Sequence, residues 1–222
     1  MKLVKQEANI LTPVDTIKSQ ILVSERAART CYNSVDRQTC QFEDAVKFLK
    51  GLLEKHHESV IEHCSFTIEF VTNIGVSREF ERHRNTHFNF ETELMTAFSE
   101  QSTRYCDYSK DSRYPNGVEF CLSDAYLKEL DELNYKDEYI DYLASCEKMY
   151  VAAKEHGSKA QTARHSLPLA TKTRFIVTAN LREWRWIIKQ RTTNAAHPDI
   201  RELIEKVYNK LCDIGLKDLL DA

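Results

Sequence analysis

Two short stretches of the chain alternate polar and apolar residues, while most other apolar positions recur at helical spacing. Ser65-Phe66-Thr67-Ile68-Glu69-Phe70 alternates strictly, which predicts a half-buried strand. Thr173–Ala179 predicts another, with Phe175, Val177 and Ala179 on one face. Residues 3–11 read as an opening strand. The helical signals are longer. Thr12-Pro13-Val14-Asp15 predicts a helix start, with Thr12 as N-cap and Pro13 at the first helical position, running to about Tyr32. Ala45, Phe48, Leu49, Leu52 and Leu53 predict a helix over about 41–56. Gly75 is expected to break the strand before it, with a short helix over 76–84. Residues 123–156 predict one or two helices, and Leu181–Arg191 another. Pro198 is expected to open the last helix, with the stripe Ile200, Leu203, Ile204, Val207 and Leu211. A few strands among many helices predict an α+β fold. With no linker, repeat or low-complexity tract, residues 1–222 read as one domain.

Composition narrows the function classes. The 222 residues carry a net charge of −3, which argues against a general nucleic-acid coat but leaves room for a local basic pocket. No apolar run approaches the ~20 residues of a membrane span, and the first residues lack the apolar stretch of a signal peptide. A cytoplasmic protein is the expectation. The seven cysteines show no CxxC spacing, so they read as free thiols. His57 and His63 flank Glu58 and Glu62, but on a helix six residues advance ~600°, leaving the imidazoles about 120° apart. A shared metal needs i and i+4, so no metal site is expected.

The candidate chemistry lies in the basic residues. Arg82, Arg84, Arg104, Arg164, Arg182 and Arg191 sit in separate segments. Arginine binds phosphate bidentately and keeps its charge when buried. On a helix Arg82 and Arg84 would point about 200° apart and grip different groups. Taken singly, each arginine could as well pair with one of the 34 acids.

Together with their neighbours, these residues make a pattern. Arg82-His83-Arg84 is followed by Ser102-Thr103-Arg104-Tyr105. Upstream are Ala27-Ala28-Arg29-Thr30-Cys31-Tyr32 and His57-Glu58-Ser59-Val60-Ile61-Glu62-His63, running on to Gly75-Val76-Ser77. Downstream are Ala163-Arg164, Leu167-Pro168 and Thr178-Ala179-Asn180-Leu181-Arg182-Glu183-Trp184, with Arg191. In these blocks the chain resembles the flavin-dependent thymidylate synthases over most of its length, the helical region 123–156 excepted. Three departures stand out. The spacer 85–101 is ten residues longer than the family's seven, and Thr92 sits at the regular distance while Ser102 alone precedes Arg-Tyr. Glu79 stands where many members place Gln, and Trp186 and Ala195 stand where some place flavin-contacting polar or histidine side chains.

The resemblance implies a small, mostly antiparallel sheet flanked by long helices, assembled as a homotetramer with shared active sites. It implies methylation of dUMP to dTMP, with 5,10-methylenetetrahydrofolate as carbon donor and FAD, reduced by NADPH, as hydride source. It ties His57, Ser59, Glu62, Arg82, His83, Arg84, Ser99, Glu100, Asn180, Arg182 and Trp186 to the flavin. Glu79, Arg82, Glu100, Gln101, Ser102, Thr103, Arg104, Arg164 and Arg191 are tied to the nucleotide, with Arg191 activating the uracil. No Rossmann GxGxxG fingerprint is present, so side chains and backbone would have to hold the flavin phosphates. No His-Asp pair is readable around Ser102, whose hydroxyl reads as a hydrogen-bonding group, and no cysteine reads as a nucleophile. Trp184 and Trp186 read as packing residues before stacking platforms, with Trp186 able to replace a lost polar contact. Two rival readings remain: a nucleotide- or RNA-binding module without catalysis, and an inactive family member that still binds FAD and dUMP.

Overall fold

A computed structural model describes residues 1–85, 97–109 and 117–222, the side chains of Arg84 and Asn85 excepted. In chain order the elements are β1 (Lys2–Val4), β2 (Glu7–Ile10), α1 (Val14–Cys31), α2 (Phe42–Leu53), β3 (Ser65–Asn73), α3 (Ile74–Asn85), β4 (Ala97–Glu100), β5 (Glu119–Cys121), α4 (Asp124–Glu132), α5 (Lys136–Glu155), α6 (Ala160–Ala163), β6 (Lys172–Asn180), α7 (Leu181–Arg191), α8 (Pro198–Ile214) and α9 (Lys217–Asp221). Strands pair antiparallel in the order β2-β3-β6-β4, and β1 pairs with β5 in parallel. The mixed architecture of helices with a small antiparallel sheet matches the expected α+β class.

The alternation in β3 and β6 sorts the sheet's faces. Phe66, Ile68 and Phe70 join Phe175, Val177 and Ala179 in the core. On the other face, Thr67 and Thr178 share a hydroxyl hydrogen bond of 2.9 Å and Arg174 pairs with Glu69 at 2.9 Å. Trp184 stacks on Phe66 at 5.6 Å and donates its indole N–H to the Phe66 carbonyl at 3.3 Å. The stripe on α8 is wholly buried, each large aliphatic contributing about 1.5–3 kcal/mol relative to exposure. A second cluster forms around β5, where Val118, Phe120 and Leu122 pack with Leu143 and Tyr150 of α5. Buried polar groups tie it to the sheet. The Asn73 amide donates to the Cys121 carbonyl at 3.1 Å and to Asp199 at 3.0 Å, and Ser123 donates to the other oxygen of Asp199.

Several boundaries differ from the sequence reading for local reasons. Pro13, at φ −54° and ψ 140°, is the residue before α1 rather than its first, and no side chain caps that end. The Thr12 hydroxyl accepts the Thr67 N–H at 2.9 Å instead, which spends it on the sheet edge. Gly75 does not break β3; it lies in the first turn of α3, because the Asn73 side chain accepts the Val76 N–H at 2.9 Å and turns strand directly into helix. Residues 59–63 form a 3-10 turn, so the α-helical angle between His57 and His63 does not apply. Helix α8 is not the last: Gly215, at φ 98°, ends it and α9 follows. Cys31 is exposed while Cys64 is buried. Among the described residues, no helix is long and apolar enough to cross a membrane.

Candidate functional site

Helix α3 is the hub of the site, and its register explains why. Val76, Phe80 and His83 lie on its buried side, and Phe80 packs against Phe70, Phe175 and Trp184. Glu79 and His83, one turn apart, share a face. That face meets the last residue of α7. Arg191 donates its Nε–H to His83 Nε2 at 2.8 Å and an Nη2–H to the Glu79 carbonyl at 3.3 Å. Its Nη1 lies 3.6 Å from the Glu79 carboxylate. The three residues of the Arg82-His83-Arg84 run therefore diverge: Arg82 is exposed, His83 is buried, and the Arg84 side chain lies outside the described residues.

On the same helix Ser77 reaches the strand β4. Its hydroxyl donates to Glu100 at 2.6 Å, and Thr173 on β6 donates to the same oxygen at 2.7 Å. Glu100 is thereby fixed between α3 and the sheet. Ser99, its neighbour, is exposed on the other side of the strand. The turn that follows is shaped by its own side chains. Gln101 donates its backbone N–H to the Arg174 carbonyl at 2.8 Å and its amide to the Tyr108 hydroxyl at 3.3 Å. The Ser102 hydroxyl accepts the Arg104 N–H at 3.2 Å. Arg164 donates to Thr103 at 3.3 Å, and Arg104 donates to Gln161 at 3.3 Å while lying over the Tyr105 ring at 5.2 Å. Both guanidinium groups are exposed. They form a cationic rim suited to a phosphate. Thr92 lies outside the described residues.

A second assembly surrounds the start of α7. Asn180 caps the helix, accepting the Glu183 N–H at 2.9 Å. Arg182 donates to Glu62 at 2.6 Å and to Glu58 at 3.2 Å, and Arg185 pairs with the other oxygen of Glu58 at 3.2 Å. The acids hold the Arg182 guanidinium above its ordinary pKa, the Glu62 hydrogen bond being the largest cause. His57 and Ser59 are exposed on the adjoining turn. A cavity of about 1160 Å³ opens here, walled in part by Glu58, Arg182, Trp186 and Tyr208. Trp184 is in the core, but Trp186 is 40% exposed at the cavity wall, so only the first is a plain packing residue.

The sequence reading missed Glu58, Glu183 and Arg185. Glu58 and Glu183 lie within the family blocks, and two acids one turn apart at Glu58 and Glu62 with two bases one turn apart at Arg182 and Arg185 were the available signal. Glu183 is 1% exposed, and neither carboxylate oxygen has a hydrogen-bond partner. Burial raises its pKa to about 7, against the lowering influence of Arg182. The Nε of Arg185 is likewise buried without a partner.

The family profile described as thymidylate synthase complementing protein matches residues 14–214. The probable flavin-dependent thymidylate synthase of Mycobacterium phage D29 is 34% identical over 207 residues, covering 90% of this chain and 83% of the relative. The flavin-dependent thymidylate synthase of Mycobacterium tuberculosis is 32% identical over 200 residues, covering 86% and 75%. Two solved structures share the fold. PolB from Streptomyces cacaoi, a UMP/dUMP methylase bound with 5-Br dUMP, superposes with a TM-score of 0.74 at 17% identity, covering 99% of this chain and 96% of that one. Thymidylate synthase X from Helicobacter pylori, with FAD and dUMP, gives 0.70 at 20% identity, covering 97% and 98%. With a profile match across nearly the whole chain and a third of the residues shared with a curated relative, this chain belongs to the flavin-dependent thymidylate synthases.

Proposed function

We propose that this chain converts dUMP to dTMP, taking the carbon from 5,10-methylenetetrahydrofolate and the hydride from FAD reduced by NADPH, as a single-domain subunit of a homotetramer. The observation that carries the reading is the setting of Arg191. Its guanidinium is fixed on three sides by α3 yet its side chain is 21% exposed, leaving an edge for a ligand. A fixed cation beside the pyrimidine N3 and carbonyl stabilises negative charge that develops on the ring, with no proton transfer required. Arg104 and Arg164 suit the substrate phosphate, and Glu100 to Thr103 would line the sugar. Arginine supplies planar, permanently charged forks for that work.

The residues at the start of α7 fit a large planar cofactor. Of the residues tied to the flavin, Arg182 and Trp186 line the cavity there, Trp186 with a half-open ring, and Arg185 beside them has a buried Nε without a hydrogen-bond partner. Arg182 and Trp186 would hold the flavin from the cavity, His57, Ser59, Glu62 and Asn180 from the adjoining turn and helix cap, and the exposed Arg82 would meet its phosphates. When bound, the flavin supplies the hydride that no side chain donates. A cysteine nucleophile is not part of the proposal. Burial pushes the thiols of Cys64 and Cys121 up to about 12, which keeps them protonated and unreactive.

The test is anaerobic incubation of the purified protein with dUMP, methylenetetrahydrofolate, NADPH and added FAD. A yellow protein forming dTMP is the expected result. A colourless protein that takes up no FAD points to a binding module instead, and FAD and dUMP binding without dTMP points to an inactive member. Sedimentation of the same sample reads the subunit number.

A further inference from the structure

We propose that His83 is a positioning residue for Arg191, acting through one hydrogen bond in the Nδ1–H tautomer. The inference rests on the reading above, in which Arg191 addresses the substrate ring. Its first support is donor logic. A guanidinium donates and never accepts, so the 2.8 Å contact makes His83 Nε2 the acceptor. The ring proton then sits on Nδ1 and the imidazole is neutral, since an imidazolium has no lone pair to offer.

The second support is rigidity. His83 is 9% exposed and meets Phe80 edge-on at 5.6 Å. Phe80 is in turn packed against Phe70, Phe175 and Trp184. The orientation of the sheet core therefore passes through Phe80 to the imidazole and on to the guanidinium. Arginine has a long, flexible stem, and a cation that swings loses the fixed placement on which its electrostatic effect depends. The Glu79 carbonyl adds a second anchor at 3.3 Å on the same side. With Nε and one Nη2–H so engaged and Nη1 3.6 Å from the Glu79 carboxylate, the other Nη hydrogens define the edge open to substrate.

The third support is where the contact lies. The residue belongs to the arginine-histidine-arginine run that the family resemblance ties to the flavin, yet its Nε2 is spent on Arg191. A flavin-holding role and a positioning role make different predictions. His83→Leu removes the acceptor, and His83→Gln retains one in its amide oxygen. For positioning, His83→Leu should lower kcat about 10- to 100-fold, the scale of a misplaced group, with little change in flavin bound per subunit or in KM for dUMP. His83→Gln should recover most of the loss. In an Arg191→Ala background, His83→Leu should have no further effect. Full activity of His83→Leu, or a loss that tracks missing flavin, overturns the proposal. Unchanged turnover of Arg191→Ala alone overturns the role of Arg191 instead, so the two failures are told apart. Should the leucine variant not fold, nitrogen NMR of labelled histidines in the wild-type holoenzyme decides. One ring with an unprotonated Nε2, perturbed by Arg191→Ala, is expected. A protonated Nε2 on the ring perturbed by Arg191→Ala, or no ring perturbed at all, overturns the assignment.

Discussion

The two ends of α7 each carry an arginine, and the fold treats them oppositely. At the N-terminal end, Arg182 is divided between Glu62 and Glu58, and Arg185 takes the other oxygen of Glu58. Cations there face the positive end of the helix dipole, and the two acids offset that cost. At the C-terminal end, where the dipole favours a cation, Arg191 is held by a neutral imidazole and a carbonyl, with one carboxylate at 3.6 Å. The first arginine has its charge matched before any ligand arrives. The second is fixed in direction with a single, more distant carboxylate beside it. That is the difference between an arginine that builds a wall and one that can address a reacting ring.

The largest expected effect comes from removing the available charge. Arg191→Ala should cut dTMP formation by roughly two to three orders of magnitude, as for loss of a preorganised electrostatic group. The bound flavin should remain, measured by its absorbance after gel filtration. Turnover within a fewfold of wild type would erase the contrast between the two ends.

How much of this was legible in the chain depends on the range of the contact. Helix α7 was readable to the residue, because Asn180 caps it and Leu181, Trp184, Ile187 and Ile188 fall at helical spacing inside it. The strand face Phe175, Val177 and Ala179 was readable for the same reason, period two against one core. The parallel pair β1 and β5 was not, since three residues in each strand carry no period. The blocks holding Glu58, Glu62 and Arg182 were readable as a family pattern, but not which acid meets which arginine. Topology decides that, by bringing the 59–63 turn against α7. Nor could the run Arg82-His83-Arg84 show that its middle member turns inward. About 100° of rotation per residue separates neighbours in a helix, and only the buried side of α3 says which one faces Arg191.

A smaller effect tests the N-terminal end. Glu183 is buried there and its carboxylate has no hydrogen-bond partner; burial raises its pKa from 4.5 to about 7 against the lowering influence of Arg182. The folded state then holds this proton more tightly than the unfolded state does. Stability should therefore fall as pH rises from about 4.5 to about 7 and change no further above that from this group. The full difference is on the order of 3 kcal/mol. Urea titrations across this range should show that slope in the wild type and a shallower one in Glu183→Gln. Equal slopes would mean that Arg182, the neighbouring cation, is free enough to neutralise Glu183, and the N-terminal charges would not be matched as described.

The smallest effect is expected from Arg182→Met. The ion pairs it breaks are each about a third exposed, at 30% for Arg182, 35% for Glu58 and 37% for Glu62. Water reaches all three, so their loss should cost about 1 kcal/mol or less, or a few degrees in Tm. Glu58 keeps its contact with Arg185, which limits the damage further. If this arginine also touches the flavin, it does so with a charge already shared between two carboxylates. Losing one such hydrogen bond should weaken FAD binding by about tenfold or less. Fluorescence titration of FAD against the variant measures this directly. A hundredfold loss with unchanged stability would break the comparison, because Arg182 would then deliver as much charge to a ligand as Arg191 does, and the acids beside it would be resting partners that the cofactor displaces.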